Sequence, residues 1–217
     1  MKSKKQAKQI LVWDWDNTLV NSFDALHQTY LILNQRYRIK KRWTKKDSAV
    51  QMNMLTHEAL KRFAPLADQK KLLKDFHDCY ALFVKSIQAM PGVEKVLQWA
   101  SENGFLNVLA SHKPIDDLND ALVHFGLQAY FHTILGDGIL SENKTMPEYA
   151  QKVLKLYPNC KCWYVIGDGF VDMQLGVNLG AQNILITSTP PIPQLKKVHI
   201  DHKVSKLEEI ISILNLK

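Results

Sequence analysis

Asp14 and Asp16 stand at the end of an apolar run, Ile10-Leu11-Val12-Trp13. Burying one carboxylate costs free energy, and burying two of like sign costs more unless a cation compensates. The pair therefore predicts a metal ion or a reacting electrophile close by. A second acidic pair follows another apolar run, in Val165-Ile166-Gly167-Asp168-Gly169-Phe170-Val171-Asp172. Gly167 and Gly169 allow a sharp turn, after which Asp168 and Asp172 can face the same space as Asp14. Carboxylate oxygens in such a set suit a hard cation such as Mg²⁺. Asp172 on its own would also suit the first turn of a helix, where an acid is favoured. A third run ends at Ser111 and continues as His112-Lys113-Pro114. A hydroxyl and the N–H groups of a strand-to-helix turn can hold phosphate oxygens, so Ser111, His112 and Lys113 are candidates for binding an anionic substrate. Ser111 as a simple turn residue is the plainer alternative.

These residues need a scaffold that brings strand ends together. From residue 91 onward, short apolar runs alternate with helical patterns. Strands are expected over 106–111, 131–135, 162–166 and 183–187, and helices over 93–104, 116–125, 147–157, 170–179 and 205–216. That alternation predicts an α/β fold with a parallel sheet covered on both faces, a three-layer, Rossmann-like core. In such open sheets, ligands bind at the carboxyl ends of the strands, where all the acids lie. Residues 23–89 show no strand signal. They read as four amphipathic helices, over 23–36, 45–54, 57–63 and 68–87, with Thr44 and Thr56 placed to cap the second and third. The expected organisation is a core from 1–20 and 91–217, with an all-helical insert over 21–90. The chain leaves the core at Asn21-Ser22 and returns at Pro91-Gly92.

The net charge is +7, and residues 21–90 hold 13 Lys and Arg against 6 Asp and Glu. Either this insert faces anionic substrates or its helices carry solvated basic faces. The basic segment over residues 1–9 raises the possibility of nucleic-acid binding, but no aromatic-interleaved basic motif accompanies it. No apolar stretch is long enough to span a bilayer, and the acids at 14 and 16 interrupt anything resembling a signal peptide, which makes a cytoplasmic protein the expectation. Cys79, Cys160 and Cys162 are odd in number and lack a C-x-x-C spacing, which speaks against a disulfide framework or a zinc site.

The order Asp-Trp-Asp-Asn-Thr-Leu-Val at 14–20 resembles the first motif, DxDx(T/V)L, of the haloacid dehalogenase superfamily. Leu-Ala-Ser-His-Lys-Pro at 109–114 resembles its second motif. Lys144, in Asn143-Lys144-Thr145-Met146-Pro147, resembles the third, with Thr145 where the family often has Pro. Gly-Asp-Gly-Phe-Val-Asp at 167–172 resembles the fourth. All four come in the family's order, and the helical insert falls where the family carries a cap; the likeness is nearest to the phosphoglycolate-phosphatase-like branch.

The resemblance implies a Mg²⁺-dependent phosphatase acting on a small anionic phosphate monoester. Asp14 would be the nucleophile and Asp16 the general acid/base. Ser111 and Lys144 would hold the phosphoryl group, with Lys113 as the rival to Lys144. Asp14, Asp16 through its backbone carbonyl, and Asp168 would hold the metal; Asp172 would support the metal shell or orient Lys144. Asp16 speaks against the dehalogenase branch, since a halide leaves without a proton, and Thr18 speaks against hexose-phosphate mutases. A phosphomutase, a phosphatase for nucleic-acid ends and a non-enzymatic binding relative are the alternatives. Candidates for meeting the leaving group are Arg36, Arg38, Lys40, Lys41, Arg42, His57, Lys61, Arg62 and Trp43. No membrane partner is expected, and the chain would act as a monomer or homodimer.

Overall fold

A computed structural model of the protein describes residues 9–140, 142–160, 162–187 and 193–215. The basic segment ahead of residue 9 lies outside them. In chain order the strands are β1 (Gln9–Trp13), β2 (Val20–Asn21), β3 (Gln88–Ala89), β4 (Leu106–Pro114), β5 (Thr133–Asp137), β6 (Cys162–Gly167), β7 (Gln182–Ile186) and β8 (His202–Val204). The helices are α1 (Phe23–Arg36), α2 (Lys45–Met52), α3 (Thr56–Phe63), α4 (Gln69–Ala81), α5 (Val93–Glu102), α6 (Ile115–His124), α7 (Pro147–Leu156), α8 (Phe170–Leu179) and α9 (Glu209–Asn215). Among the described residues, no helix is long and apolar enough to cross a membrane.

Six strands form one sheet in the order β5-β4-β1-β6-β7-β8, with every neighbouring pair parallel. Ile10, Leu11, Val12 and Trp13 of β1 are all buried. Strand alternation sends them to opposite faces. Leu11 and Trp13 pack with Val96 and Leu97 of α5, Leu118 of α6 and Ile210 of α9. Ile10 and Val12 pack with Ala150 and Val153 of α7 and Leu175 of α8. A strand covered on both sides must be apolar throughout, which is why β1 shows a run rather than an alternation. The three-layer α/β architecture is as expected. Beside β1 the order reverses, with β4 on one side and β6 on the other. The ends of these three strands open onto one crevice.

Helices α1 to α4 lie between β2 and β3 and share a core of their own around Tyr30, Leu33, Trp43, Leu60, Phe63, Leu72 and Phe76. Thr44 begins α2 as expected, accepting from Asp47 N while the Asp47 carboxylate accepts from Thr44 N. Thr56 does not cap α3. It is the first helical residue, and Leu55 precedes it with no side-chain cap. The stretch over 68–87 is shorter as a helix than its periodicity predicts: α4 stops at Ala81 and a single 3₁₀ turn spans Val84–Ser86. Nor is the insert wholly free of strand. Val20 and Asn21 pair antiparallel with Ala89 and Gln88, tying its two ends together at the core boundary. α9 begins at Glu209 instead of 205, because the Glu209 carboxylate accepts from Ser205 Oγ and Lys206 N in a preceding turn.

Candidate active site

The floor of the crevice is built where β1 ends. Asp14 N donates to Ile166 O at 2.9 Å, so the sheet continues to the nucleophile position suggested by the first motif. The chain then folds into a tight loop, with Leu19 N donating to Trp15 O and Asn17 N to Val20 O. Asn17 adopts φ 55°, a left-handed conformation that Asn tolerates better than most side chains. Asp14 and Asp16, two residues apart, both line the cavity below the helical insert.

Lys144 is 2% exposed, and its ammonium has three acceptors. Nζ donates to Asp14 Oδ1 at 2.9 Å, to Asp172 Oδ1 at 2.7 Å and to Ala110 O at 2.7 Å. An ammonium has three protons, so all are used. Burial works against its charge, but Asp14 and Asp172 outweigh burial and raise the Lys144 pKa. The lysine is therefore a fixed cation. Its rival Lys113 lies elsewhere on the cavity wall, with Nζ 5.4 Å from the centroid of the Tyr80 ring of α4.

Asp14, Asp168 and Asp172 each offer a carboxylate oxygen within 4.8 Å of the others. The Asp16 carboxylate is not in that group. Asp172 accepts on both oxygens, from Lys144 Nζ and from Gly169 N at 3.2 Å. Burial, then the Asp172 charge, raise the Asp14 pKa to about 7, against the pull of Lys144. Gly167 is required by this packing: a Cβ there would lie 2.3 Å from the Asp172 side chain. Ser111 is buried on the same crevice and its Oγ accepts from Lys113 N at 3.1 Å. His112 Nε2 accepts from Lys144 N at 3.3 Å. Burial and the nearby Lys144 charge lower the His112 pKa to about 3, so the ring is neutral and free to accept.

A profile of one protein family, the haloacid dehalogenase-like hydrolases, matches residues 11–186. The chain belongs to that family. Within this hydrolase family, it is 27% identical over 203 residues to a phosphoglycolate phosphatase from Rhodobacter capsulatus, a match covering 87% of this chain and 91% of that one. Its fold resembles a putative haloacid dehalogenase-like hydrolase from Bacteroides fragilis, with a TM-score of 0.82 at 16% identity, covering 94% and 99% of the two chains. It also resembles a putative haloacid dehalogenase hydrolase from Bacillus subtilis solved with magnesium bound, with a TM-score of 0.72 at 20% identity, covering 97% and 100%.

The cap-like insert sits over the crevice of this hydrolase, and the two line a partly open cavity of about 680 Å³. Asp14, Asp16, Ser111, His112, Lys113, Lys144, Asp168 and Asp172 all line it. None of Arg36, Arg38, Lys40, Lys41, Arg42, His57, Lys61 and Arg62 is among its lining residues. Trp43 is buried inside the insert. It stacks on Tyr30 with centroids 5.0 Å apart, and its Nε1 donates to Ser48 Oγ at 2.8 Å. The insert instead contributes Leu26, Met52, Met54, Tyr80, Val84 and Ile87 to the lining. It also supplies Asn53, whose Oδ1 accepts from Phe170 N at 2.8 Å, beside Asp168 and Asp172. Neither contribution carries a sequence signature, since apolar helix faces and a lone Asn look the same wherever they point.

Proposed function

We propose that the protein is a Mg²⁺-dependent phosphatase of this family that hydrolyses a small phosphate monoester through an aspartyl-phosphate on Asp14. The observation that carries this is Lys144, buried and charged, holding Asp14 in place at the floor of a cavity large enough for a substrate. The phosphoglycolate phosphatase relative and the magnesium-bound structural neighbour support the same assignment.

The donor set fits a hard dication. Asp14 and Asp168 offer carboxylate oxygens close together, the hard-oxygen chemistry a dication takes. Asp14, Asp168 and the backbone carbonyl of Asp16 would hold Mg²⁺. Asp172 is committed on both oxygens and acts as the positioning residue for Lys144. Bound there, the ion supplies charge neutralisation between carboxylate and phosphoryl oxygens.

The chain's own groups then divide the work. Asp14 attacks phosphorus as the bond to the leaving oxygen breaks, which splits one hard displacement into two easier ones. Asp16 gives its proton to the leaving oxygen. It later takes a proton from the water that attacks the aspartyl-phosphate, and inorganic phosphate and free Asp14 result. Ser111 holds the phosphoryl oxygens, assisted by N–H groups of the turn at His112 and Lys113, and the Lys144 charge offsets theirs, its Nζ bond to Asp14 being the one a phosphoryl oxygen would share. The insert shields the intermediate from bulk water.

The test is hydrolysis of phosphate monoesters by purified protein with Mg²⁺, with and without a chelator, and by Asp14→Asn. Release of phosphate that needs both Mg²⁺ and Asp14 is expected. Undiminished turnover by Asp14→Asn would remove Asp14 as nucleophile.

A further inference from the structure

The wall that faces the leaving group differs in kind from the floor that faces the phosphate. From the insert, Tyr80 comes close enough to Asp16 for that carboxylate to raise its pKa, after burial as the larger cause. Tyr80 stacks with Phe76, centroids 6.1 Å apart and ring planes 11° apart, and Phe76 in turn meets Tyr30 at 5.8 Å. From the core, Trp15 and Phe125 form a second aromatic pair, 5.9 Å apart. All five rings line the cavity, with Trp15, Tyr30 and Phe76 buried behind the more open Tyr80 and Phe125; aliphatic side chains of the insert fill in between them, and Gln51, Asn53, Thr56 and His77 add polar groups. Asp16 is the group assigned to protonate the leaving oxygen, and Tyr80 lines the same cavity.

The charges on this wall have a sign. Apart from the phosphoryl-binding cluster, the formally charged lining residues are Lys113, Asp117 and Asp120. Lys113 is turned onto the Tyr80 ring, whereas Asp117 and Asp120 are exposed to solvent on α6. The insert adds no Lys or Arg to the lining. A carboxylate on the leaving group would meet two acids, Asp117 and Asp120, against one cation, Lys113, already held over the Tyr80 ring, and like charges at close range disfavour binding. Size points the same way. At about 680 Å³ the cavity falls within the range of about 300–1,000 Å³ that encloses drug-sized ligands. A two-carbon acid such as glycolate would leave most of it unfilled.

Resting on the phosphatase assignment, we infer that the leaving group is a flat, largely apolar alcohol of the aromatic class, neutral or cationic at its far end. The relative that hydrolyses phosphoglycolate is thus a guide to the chemistry and not to the substrate of this chain. An aromatic ring can stack on the half-buried Tyr80 or Phe125, each backed by a buried ring, and the apolar surface removed from water strengthens binding by an amount that grows with ring area.

The test measures kcat/KM with Mg²⁺ for phosphoglycolate, glycerol phosphate, benzyl phosphate, naphthylmethyl phosphate and carboxybenzyl phosphate. These are all esters of alkyl alcohols, so intrinsic leaving ability differs little across the set. Naphthylmethyl phosphate is expected to exceed glycerol phosphate by at least about 30-fold. Benzyl phosphate is expected to exceed carboxybenzyl phosphate by about tenfold or more. Two variants read the wall itself. Tyr80→Ala should shrink the naphthylmethyl-to-glycerol ratio by about tenfold, and Asp120→Lys should narrow the benzyl-to-carboxybenzyl ratio by at least about threefold. Ratios taken within one variant are insensitive to how much of it is folded. Phosphoglycolate or carboxybenzyl phosphate as the best substrate, or unchanged ratios in both variants, would overturn the inference while leaving the phosphatase assignment standing. Inertness towards every ester, in folded Mg²⁺-loaded protein, would overturn the phosphatase assignment itself and this inference with it.

Discussion

The core and the helical insert treat charge in opposite ways. In the core, charge is buried and paired: Lys144 is sealed between Asp14 and Asp172, with exposures of 2%, 14% and 6%. In the insert, charge is abundant and stays outside. Its excess of Lys and Arg is spread over the outer surface, partly neutralised by its own acids, as in Arg36–Asp75, Lys45–Asp24 and Lys74–Asp78. None of its Lys or Arg reaches the cavity, where the insert presents apolar, aromatic and uncharged polar side chains together with His77. A segment's net charge therefore says little about the charge its ligand meets. The sequence counts left open whether the insert's basic residues face an anion or solvent; none of its Lys or Arg lines the cavity, and the groups proposed to meet the phosphoryl oxygens, Ser111 and Lys144, belong to the core.

This contrast can be broken or sharpened by mutation. The largest effect belongs to the core: Asp14→Asn should lower kcat by roughly 10⁴-fold or more, measured as phosphate release. Next is Lys144→Met, which leaves two buried acids facing each other without a cation. Unfolding in urea should show a loss of about 3–5 kcal/mol.

The third prediction concerns pH in the absence of metal. Asp14 rises from 3.8 to about 7 on folding. Between those values the folded protein holds a proton that the unfolded chain has released. Its contribution is thus lost as pH rises through that window, by about 4 kcal/mol at most. His112 has the opposite sign. Its pKa falls from 6.5 to about 3 on folding, so its contribution is lost as pH falls through that window. The two slopes oppose each other in the parent. Asp14→Asn should unmask the His112 slope, becoming progressively more stable than the parent from about pH 4 to pH 7 in thermal melts. Added Mg²⁺ should stabilise the parent at pH 7 more than it does the variant. The smallest effect belongs to the insert: replacing Arg38, Lys40 and Arg42 together by Ser should change kcat/KM by less than about threefold. A collapse of activity there would mean that the outer charges do reach the substrate.

What was legible in the sequence, and what was not, follows the same division. The acids and the lysine stand at strand ends and turns, where backbone geometry leaves few choices, and their order along the chain marks the family. Helix α1 begins and ends as its sequence pattern predicts, and α8 runs between Gly169 and the left-handed Gly180 that its sequence marks. The cavity wall was illegible for a physical reason. Phe76 and Tyr80 sit four residues apart on one helix face, a pattern that serves equally for packing a core and for facing a void. Trp43 illustrates the converse: placed in a loop next to basic residues, it reads as a contact for substrate, yet it is a core residue of the insert. Strand β8 carried no signal because it is a three-residue edge strand in which Val204 is the buried position. The β2–β3 ribbon is too short for alternation to register at all.

Asn53 has a consequence beyond its hydrogen bond. Its amide clasps the insert to Phe170 N at the head of the helix that follows Asp168, and Gly169 is bare enough to admit it: a Cβ there would lie 2.2 Å from Asn53 Oδ1. Lifting the insert therefore means releasing a backbone amide next to a proposed metal ligand. Thermodynamic reciprocity then applies: whatever factor separates the ion's affinity for the open and shut forms must equal the factor by which the ion biases shutting. Cutting this clasp, as Asn53→Ala would, should weaken that coupling without touching a single group that reacts.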